Sequence, residues 1–276
     1  MKKTITTSIG LLFLTTTVFA LDPLGPPVAT SKKDVTAIAG FEYLYGVMDL
    51  HSESFTFITH PIPPTPSVSL LFSSAKIKNI KTNKFYVNLI SEIGGDDLDI
   101  FLRLGIANAN PDKSANRDNL AGNIGESDYD IALGGGIRTT FYQSEDGREK
   151  WGILAQLSYT NFDYNEKNSS VNGYDVSLSA TIKMLEIQLA AGPTYQVTDE
   201  LSIYGGPFLH FVKGEAKIKG SVDGESGDGS CDFKQEPELG GFVGLSTDLA
   251  KNTKFNIEYQ LAGDAQAVGF RFIHRF

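Results

Sequence analysis

The chain ends with Val268-Gly269-Phe270-Arg271-Phe272-Ile273-His274-Arg275-Phe276, and this stretch decides the fold. A period of two divides it into one face with Val268, Phe270, Phe272, His274 and Phe276, and another with Gly269, Arg271, Ile273 and Arg275. At a sheet edge in water, a strand with such an aromatic face would be prone to aggregate. The pattern favours a closed barrel, in which the aromatic face meets lipid and the arginines point into a polar interior.

The same alternation recurs along the chain and predicts ten strands. It is clearest where Leu98, Ile100, Leu102, Leu104 and Ile106 alternate with Asp99, Phe101, Arg103 and Gly105. The predicted strands cover residues 35–48, 76–93, 98–107, 129–142, 151–163, 174–197, 201–220, 239–248, 254–261 and 268–276. In the sixth strand the parity slips between Ile182 and Leu185, which indicates either a β-bulge or a strand that extends beyond the membrane.

Turn lengths support the barrel independently of the alternation. Tight turns follow the second, fourth, sixth and eighth predicted strands, whereas longer loops mostly follow the odd ones. Barrels of the outer membrane have short turns on one side and longer loops on the other. We therefore predict an all-β, transmembrane, antiparallel up-and-down β-barrel of about ten strands. The alternatives are eight strands, if residues 35–93 are misinterpreted, and a soluble β-sandwich.

The start of the chain has the pattern of an export signal. Lys2 and Lys3 precede an apolar run that ends near Ala20, so we predict a cleaved signal peptide over residues 1–20. Residues 21–34 contain Pro23, Pro26 and Pro27 and are predicted to form a Pro-rich periplasmic leader, a tether to the barrel domain at 35–276. A net charge of −9 argues against nucleic acid as a partner. The single cysteine, Cys231, excludes a disulfide within the chain.

These features together resemble the bacterial outer-membrane β-barrel proteins, in particular the small OmpA- and OmpX-type barrels. The resemblance covers residues 35–276 and implies a location in the outer membrane, with outer-membrane lipid and lipopolysaccharide as partners. In that family the last strand typically ends in Phe and is recognised by the barrel-assembly machinery. The resemblance therefore implies that Phe270, Phe272 and Phe276 form the assembly signal.

Charged residues on the predicted inward faces form the first candidate site. They are Glu42, Glu92, Asp99, Arg103, Arg138, Glu186, Glu258, Arg271 and Arg275. A barrel of about ten strands is narrow enough for side chains to fill it, so we expect Arg–carboxylate pairs to plug the lumen. The alternative is that these charges line a gated pathway, which makes the protein a narrow channel.

Four lysines form the second candidate site. Lys183 is predicted to lie opposite residues 215–217, and Lys213, Lys217 and Lys219 share the outward parity of the seventh strand. This basic patch is expected at the outer rim, where lipopolysaccharide phosphates lie. The alternative is that the lysines are solvated on strands that protrude from the bilayer.

The sequence gives little support for catalysis or metal binding. Outer-membrane enzymes, such as lipid A-modifying enzymes or omptin-like proteases, need a His positioned by a carboxylate. The histidines are His51, His60, His210 and His274, of which His210 alone has a clear inward parity. The acidic residues at 223–232 lack the ligand order of an EF-hand. We expect no enzyme, metal or cofactor, but a monomeric barrel with a structural role and loops for surface interaction.

Overall fold

The structure is a computed structural model that describes residues 21–22, 24–29, 38–51, 55–59, 69–72, 76–92, 97–111, 127–171, 174–222, 225–234, 237–263 and 265–276. The predicted signal peptide at 1–20 lies outside these residues. Within the described ranges, no helix has the length and apolar character needed to cross a membrane.

Strands make up almost all of the described chain. They are β1 Ile38–His51, β2 Phe55–Thr59, β3 Ser69–Phe72, β4 Lys76–Glu92, β5 Leu98–Pro111, β6 Asp130–Gln143, β7 Glu149–Val171, β8 Tyr174–Gln196, β9 Leu201–Val222, β10 Glu225–Lys234, β11 Glu238–Ala250, β12 Thr253–Ala262 and β13 Ala265–Arg275.

Ten of these strands close into a barrel. Their order is β1-β4-β5-β6-β7-β8-β9-β11-β12-β13, every neighbouring pair is antiparallel, and β13 pairs back onto β1. At this closure Glu42 lies directly opposite Arg271. The prediction of an antiparallel up-and-down barrel of ten strands is confirmed, and the alternatives of eight strands and a β-sandwich are wrong.

The two ends of the barrel differ. At one end, here called the turn end, short connections join β4 to β5, β6 to β7, β8 to β9 and β11 to β12. At the other, the extension end, β9 exchanges its partner: residues 201–210 pair with β11, and residues 213–222 pair with β10. Strands β2 and β3 continue the sheet beyond β10. The acidic residues 225–232 therefore lie in strand β10, whose main chain pairs with that of β9.

The outer face of the wall is apolar. Leu102 and Leu104 on β5 have 63% and 64% of their surface exposed. Their neighbours in the strand, Phe101 and Arg103, point inward and are 4% and 3% exposed. The same alternation of exposed apolar and buried side chains follows the other wall strands. Water would disfavour so much exposed hydrocarbon, and the hydrocarbon core of a bilayer favours it. The wall is therefore that of a transmembrane barrel.

The interior has two zones of different chemistry. Towards the turn end the inward side chains include the charged residues Asp99, Arg138 and Arg275 beside apolar ones such as Ile90 and Leu154. Towards the extension end they are largely apolar, and the buried examples include Leu44, Ala107, Ala132, Phe162, Ile182 and Met184. The β-bulge predicted as one explanation of the parity slip in β8 is wrong, because the strand alternates without a shift, with Ile182 inward and Leu185 outward. The apolar side chains change face at this point: the inward residues change from Glu186 to Met184 and Ile182, and the outward ones from Leu185 to Lys183.

A charge on the outer face tests the lipid contact. We expect Leu102→Arg to destabilise the barrel by about 2–4 kcal/mol, the typical cost of Arg near the middle of a bilayer. The measurement is unfolding by urea in lipid vesicles. The folded fraction is read from the difference in mobility between unheated and boiled samples on a detergent gel. The control is Leu249→Arg, next to the turn between β11 and β12, where about 0–1 kcal/mol is expected. Equal effects of the two substitutions would contradict the assignment.

Candidate functional site

The N-terminal residues 21–29, here called the lumen segment, lie inside the barrel. The described residues of this segment are all buried, with Leu21 and Leu24 fully so. The segment runs from the turn end, where the Ala29 N–H donates to Thr140 Oγ1 at 3.0 Å, towards the middle of the barrel. The interpretation of these residues as a periplasmic tether is corrected. Their alternation of Pro with apolar residues suits a packed interior as well as an extended linker.

Asp22 anchors the inner end of the lumen segment through its side chain. Lys84 on β4 donates to Asp22 Oδ1 at 2.9 Å, and both side chains are buried. The hydroxyl of Tyr86, two residues along the same strand, lies 3.5 Å from the same oxygen. A buried carboxylate is costly unless it is paired, so this ion pair fixes where Asp22 can lie.

The main chain of the lumen segment is bound as well. Glu258 on β12 accepts from two consecutive main-chain N–H groups, those of Leu24 at 2.8 Å and Gly25 at 2.7 Å. The carbonyl oxygen of Asp22 accepts from Gln156 Nε2 at 3.2 Å and from Gln260 Nε2 at 2.8 Å. Strands from opposite parts of the wall therefore hold one short stretch of chain.

A buried cluster crosses the lumen beside Asp22. Lys84 Nζ donates to Glu186 Oε1 at 2.5 Å, and three strands separate β4 from β8 in the sheet order. Glu186 Oε2 also lies 3.3 Å from His210 Nε2 on β9. Asp22, Lys84, Glu186 and His210 thus form one chain of contacts from the lumen segment to the opposite wall.

The remaining predicted lumen residues form separate pairs. Glu42 contacts two guanidinium groups, that of Arg271 directly across the closure and that of Arg103, whose Nε lies 3.0 Å away. Asp99 accepts from Arg138 Nε at 2.9 Å across the β5–β6 pair. Arg275 is buried at the turn end. The side chain of Glu92 lies outside the described residues, although its main chain pairs with Asp99.

The sequence analysis did not identify several residues of the lumen site. Lys84, Gln156, Gln188 and Gln260 are inward and buried, and Asp22 belongs to a segment placed outside the barrel. Lys84 shares the parity of Tyr86 and Asn88, so the alternation alone could have found it. No pattern in the wall strands indicates that a segment from elsewhere in the chain fills the lumen.

The four candidate lysines lie together on the outer face. Lys183 pairs across β8–β9 with Glu215, and Lys213, Lys217 and Lys219 are exposed on the same side of β9. Lys217 Nζ lies 3.3 Å from Glu215 Oε1, which makes the patch mixed in charge. Just below, towards the turn end, the outward residues Leu185 and Leu209 are apolar. The lysines therefore lie at the edge of the apolar face.

The other candidate residues are dispersed. Phe270 and Phe272 lie on the outer side of β13 against Phe255, with ring centroids 6.4 and 4.8 Å from it, and Phe276 is exposed. His274 is outward, as predicted, and its Nδ1 lies 3.0 Å from Thr253 Oγ1. Cys231 lies opposite Ala216 in the β10–β9 pair. His60 lies outside the described residues. Within the described part of the chain, no cluster of His, Cys, Asp and Glu could hold a metal ion.

Comparison with solved structures finds bacterial outer-membrane β-barrels. The outer membrane protease OmpT of Escherichia coli has a TM-score of 0.43 and 13% identity, and the match covers 90% of this chain and 99% of that one. An outer membrane channel of Pseudomonas putida F1 has a TM-score of 0.41 and 14% identity, covering 93% and 100%. The attachment invasion locus protein Ail of Yersinia pestis has a TM-score of 0.29 and 13% identity, covering 88% and 100%.

No protein-family model matches the chain, and no curated protein matches it in sequence. The three similar structures are a protease, a channel and an attachment protein by their names, and their identities to this chain are low. Their likeness therefore assigns no activity, and the function must be argued from the residues of this chain.

Removal of the Glu42 charge tests the ion pairs of the lumen. Because one carboxylate faces two buried guanidinium groups, Glu42→Gln is expected to destabilise the barrel by about 3–5 kcal/mol. The measurement is again unfolding in vesicles with the heat-dependent mobility shift as readout. The matched control is Asp248→Asn, which breaks the partly exposed 3.0 Å pair with Lys254 and should cost about 0–1 kcal/mol. A cost for Glu42→Gln as small as that of the control would refute this role.

Proposed function

We propose that this chain is an integral protein of the bacterial outer membrane with a structural and surface-presenting role, and that its lumen is closed. The apolar outer face and the closed wall support membrane insertion. Short turns at one end and long strands at the other support an orientation with the turn end in the periplasm. The aromatic strand β13 supports recognition by the barrel-assembly machinery.

The observation that carries the closed lumen is the position of the lumen segment. It fills the polar zone and is bound to β4, β6, β7 and β12 through Asp22, Leu24, Gly25 and Ala29. Beyond its inner end, packed apolar side chains fill the interior. Together these two sets of contacts support a closed lumen.

Surface presentation is supported by the extension end. Strands β7, β8 and β9 have 23, 23 and 22 residues, more than the 9–11 that cross a bilayer, and β10, β2 and β3 add to the sheet there. In the proposed orientation this sheet stands outside the cell. It offers a surface for adhesion or another partner.

A narrow channel is the second candidate. One observation favours it: the polar zone is filled by the lumen segment and not by side chains of the wall alone. Displacement of that segment would leave a polar lumen at the turn end. An enzymatic role has less support. The pair of His210 and Glu186 meets the requirement for a His beside a carboxylate, but both side chains are buried, so a substrate would not reach them.

Lipopolysaccharide is the proposed partner of the outward lysines. Lys183, Lys213, Lys217 and Lys219 lie where the apolar face ends, which in the proposed orientation is the level of the lipid phosphates. An ammonium group binds phosphate as a point charge. The carboxylate of Glu215 among them makes the expected affinity modest.

Conductance in planar bilayers tests the closed lumen. We expect the purified intact protein to give no stable steps of current, because the lumen segment and the apolar zone fill the interior. A general porin inserted in the same bilayer serves as the positive control. Uniform, long-lived conductance steps from the intact protein would overturn the closed lumen and favour the channel.

Substitution of the four lysines by Gln tests the lipopolysaccharide contact. We expect the quadruple variant to retain several-fold less lipopolysaccharide than the wild type after purification in mild detergent, because each substitution removes one point charge from the outer rim. The control replaces Lys150, Lys251 and Lys254 at the turn end by Gln and should retain the wild-type amount. Equal retention by both variants would refute the contact.

A further inference from the structure

The wall of the lumen contacts the lumen segment mainly through main-chain atoms. Glu258 takes the N–H groups of Leu24 and Gly25, Gln156 and Gln260 donate to the carbonyl oxygen of Asp22, and Thr140 takes the N–H group of Ala29. Every peptide has these groups, so the wall holds the segment through its main chain in a fixed register. Recognition of main-chain groups with a few side-chain contacts is how proteins commonly bind extended peptides.

The wall groups that hold the segment also contact one another. Lys84 has Glu186 at 2.5 Å as well as Asp22, and Gln156 has Gln188 at 2.5 Å. Gln260 donates to Glu258 at 2.5 Å and accepts from Gln188 at 3.3 Å. Loss of a sole partner would leave a buried charge unpaired, at a large cost. Here Lys84, Gln156, Gln260 and Glu258 Oε1 keep a second wall partner when the segment leaves, which lowers the cost of a vacant site.

Two positions of the segment give the site selectivity. Asp22 supplies the negative charge that Lys84 contacts. Gly25 has φ +69°, and a Cβ added there would collide with the guanidinium of Arg271. The positive φ disfavours a residue with a side chain at that position, and the guanidinium of Arg271 would have to move to admit one. The selected pattern is an acidic residue followed three positions later by glycine, as in Asp22-Pro23-Leu24-Gly25.

We infer that the polar zone of the lumen is a preformed binding site for a peptide with an acidic residue and a glycine at this spacing, and that residues 21–29 are its resident, exchangeable ligand. The inference rests on the proposed closed lumen and names the class of ligand that closes it. An outside peptide with the same pattern would compete with the chain's own segment for one set of wall contacts.

The test uses the full chain folded with its segment in place. A specific protease site replaces residues 31–34, between the lumen segment and β1, and is cut after the barrel has folded. We expect the released fragment to stay with the barrel through size-exclusion chromatography in detergent. Excess synthetic Leu-Asp-Pro-Leu-Gly-Pro-Pro-Val-Ala should then displace it, with mass spectrometry measuring the fragment that remains and the mobility shift confirming the folded barrel.

Matched peptides test the selectivity. Substitution of Asp by Asn, or of Gly by Ala, in the competitor should weaken displacement at least tenfold, and a scrambled peptide should not displace the fragment. In the cut barrel, Glu258→Gln should speed the loss of the fragment, because the carboxylate that takes two N–H groups is removed. The uncut Glu258→Gln chain shows whether that variant folds.

Two outcomes would overturn the inference. If the fragment leaves on cutting and the synthetic peptide does not bind the folded barrel, the lumen has no site. If no peptide displaces the retained fragment, or all peptides do so equally, the segment is a permanent part of the fold or binds without selection. Either result is distinguishable from a failure of the closed lumen, because conductance is measured on the intact, uncut chain.

Discussion

The closure of β13 on β1 is the constraint on which the rest of the structure depends. In lipid, no water is present to satisfy the main-chain groups of a free strand edge, so the wall must return on itself. The register of this closure places Glu42 opposite Arg271. Once the strand number is set, the width of the lumen is set too, and whatever lies inside must fill that fixed width with bonded polar groups or packed apolar ones.

The two zones of the lumen meet this demand in different ways. At the extension end, residues such as Phe162, Ile182 and Met184 pack without any need for a partner. At the turn end the inward charges are paired across neighbouring strands, as in Asp99–Arg138, or across the whole lumen, as in Lys84–Glu186. Wall side chains alone do not complete the polar zone. The lumen segment does so, with a carboxylate for Lys84 and N–H groups for Glu258.

The sequence predicted what depends on strand periodicity and register. All ten barrel strands and the outward apolar faces follow from the alternation. The position of the lumen segment did not follow, because contacts such as Lys84–Asp22 join residues far apart in the chain without any sheet register between them. The continuous alternation of β8 was missed because its apolar residues change from the outer face at Leu185 to the inner face at Ile182. Strand β10 was missed because its residues are rich in Gly and Asp and show no apolar alternation. Main-chain pairing with β9 holds the strand in place.

The arrangement of the two zones also decides how a peptide can reach the site. In the proposed closed lumen, apolar side chains lie between the site and the extension end, while the lumen segment passes Thr140 near the turn end and contacts Lys84 at its inner end. A peptide that replaced the segment would therefore enter from the turn end, the side proposed to face the periplasm. It would also have to enter in the direction of the resident segment, because Glu258 takes N–H groups while Gln156 and Gln260 offer N–H groups to a carbonyl. A reversed peptide would present these groups in the wrong order. The polar wall thus selects direction as well as charge, which a purely apolar lumen of the same width would not do.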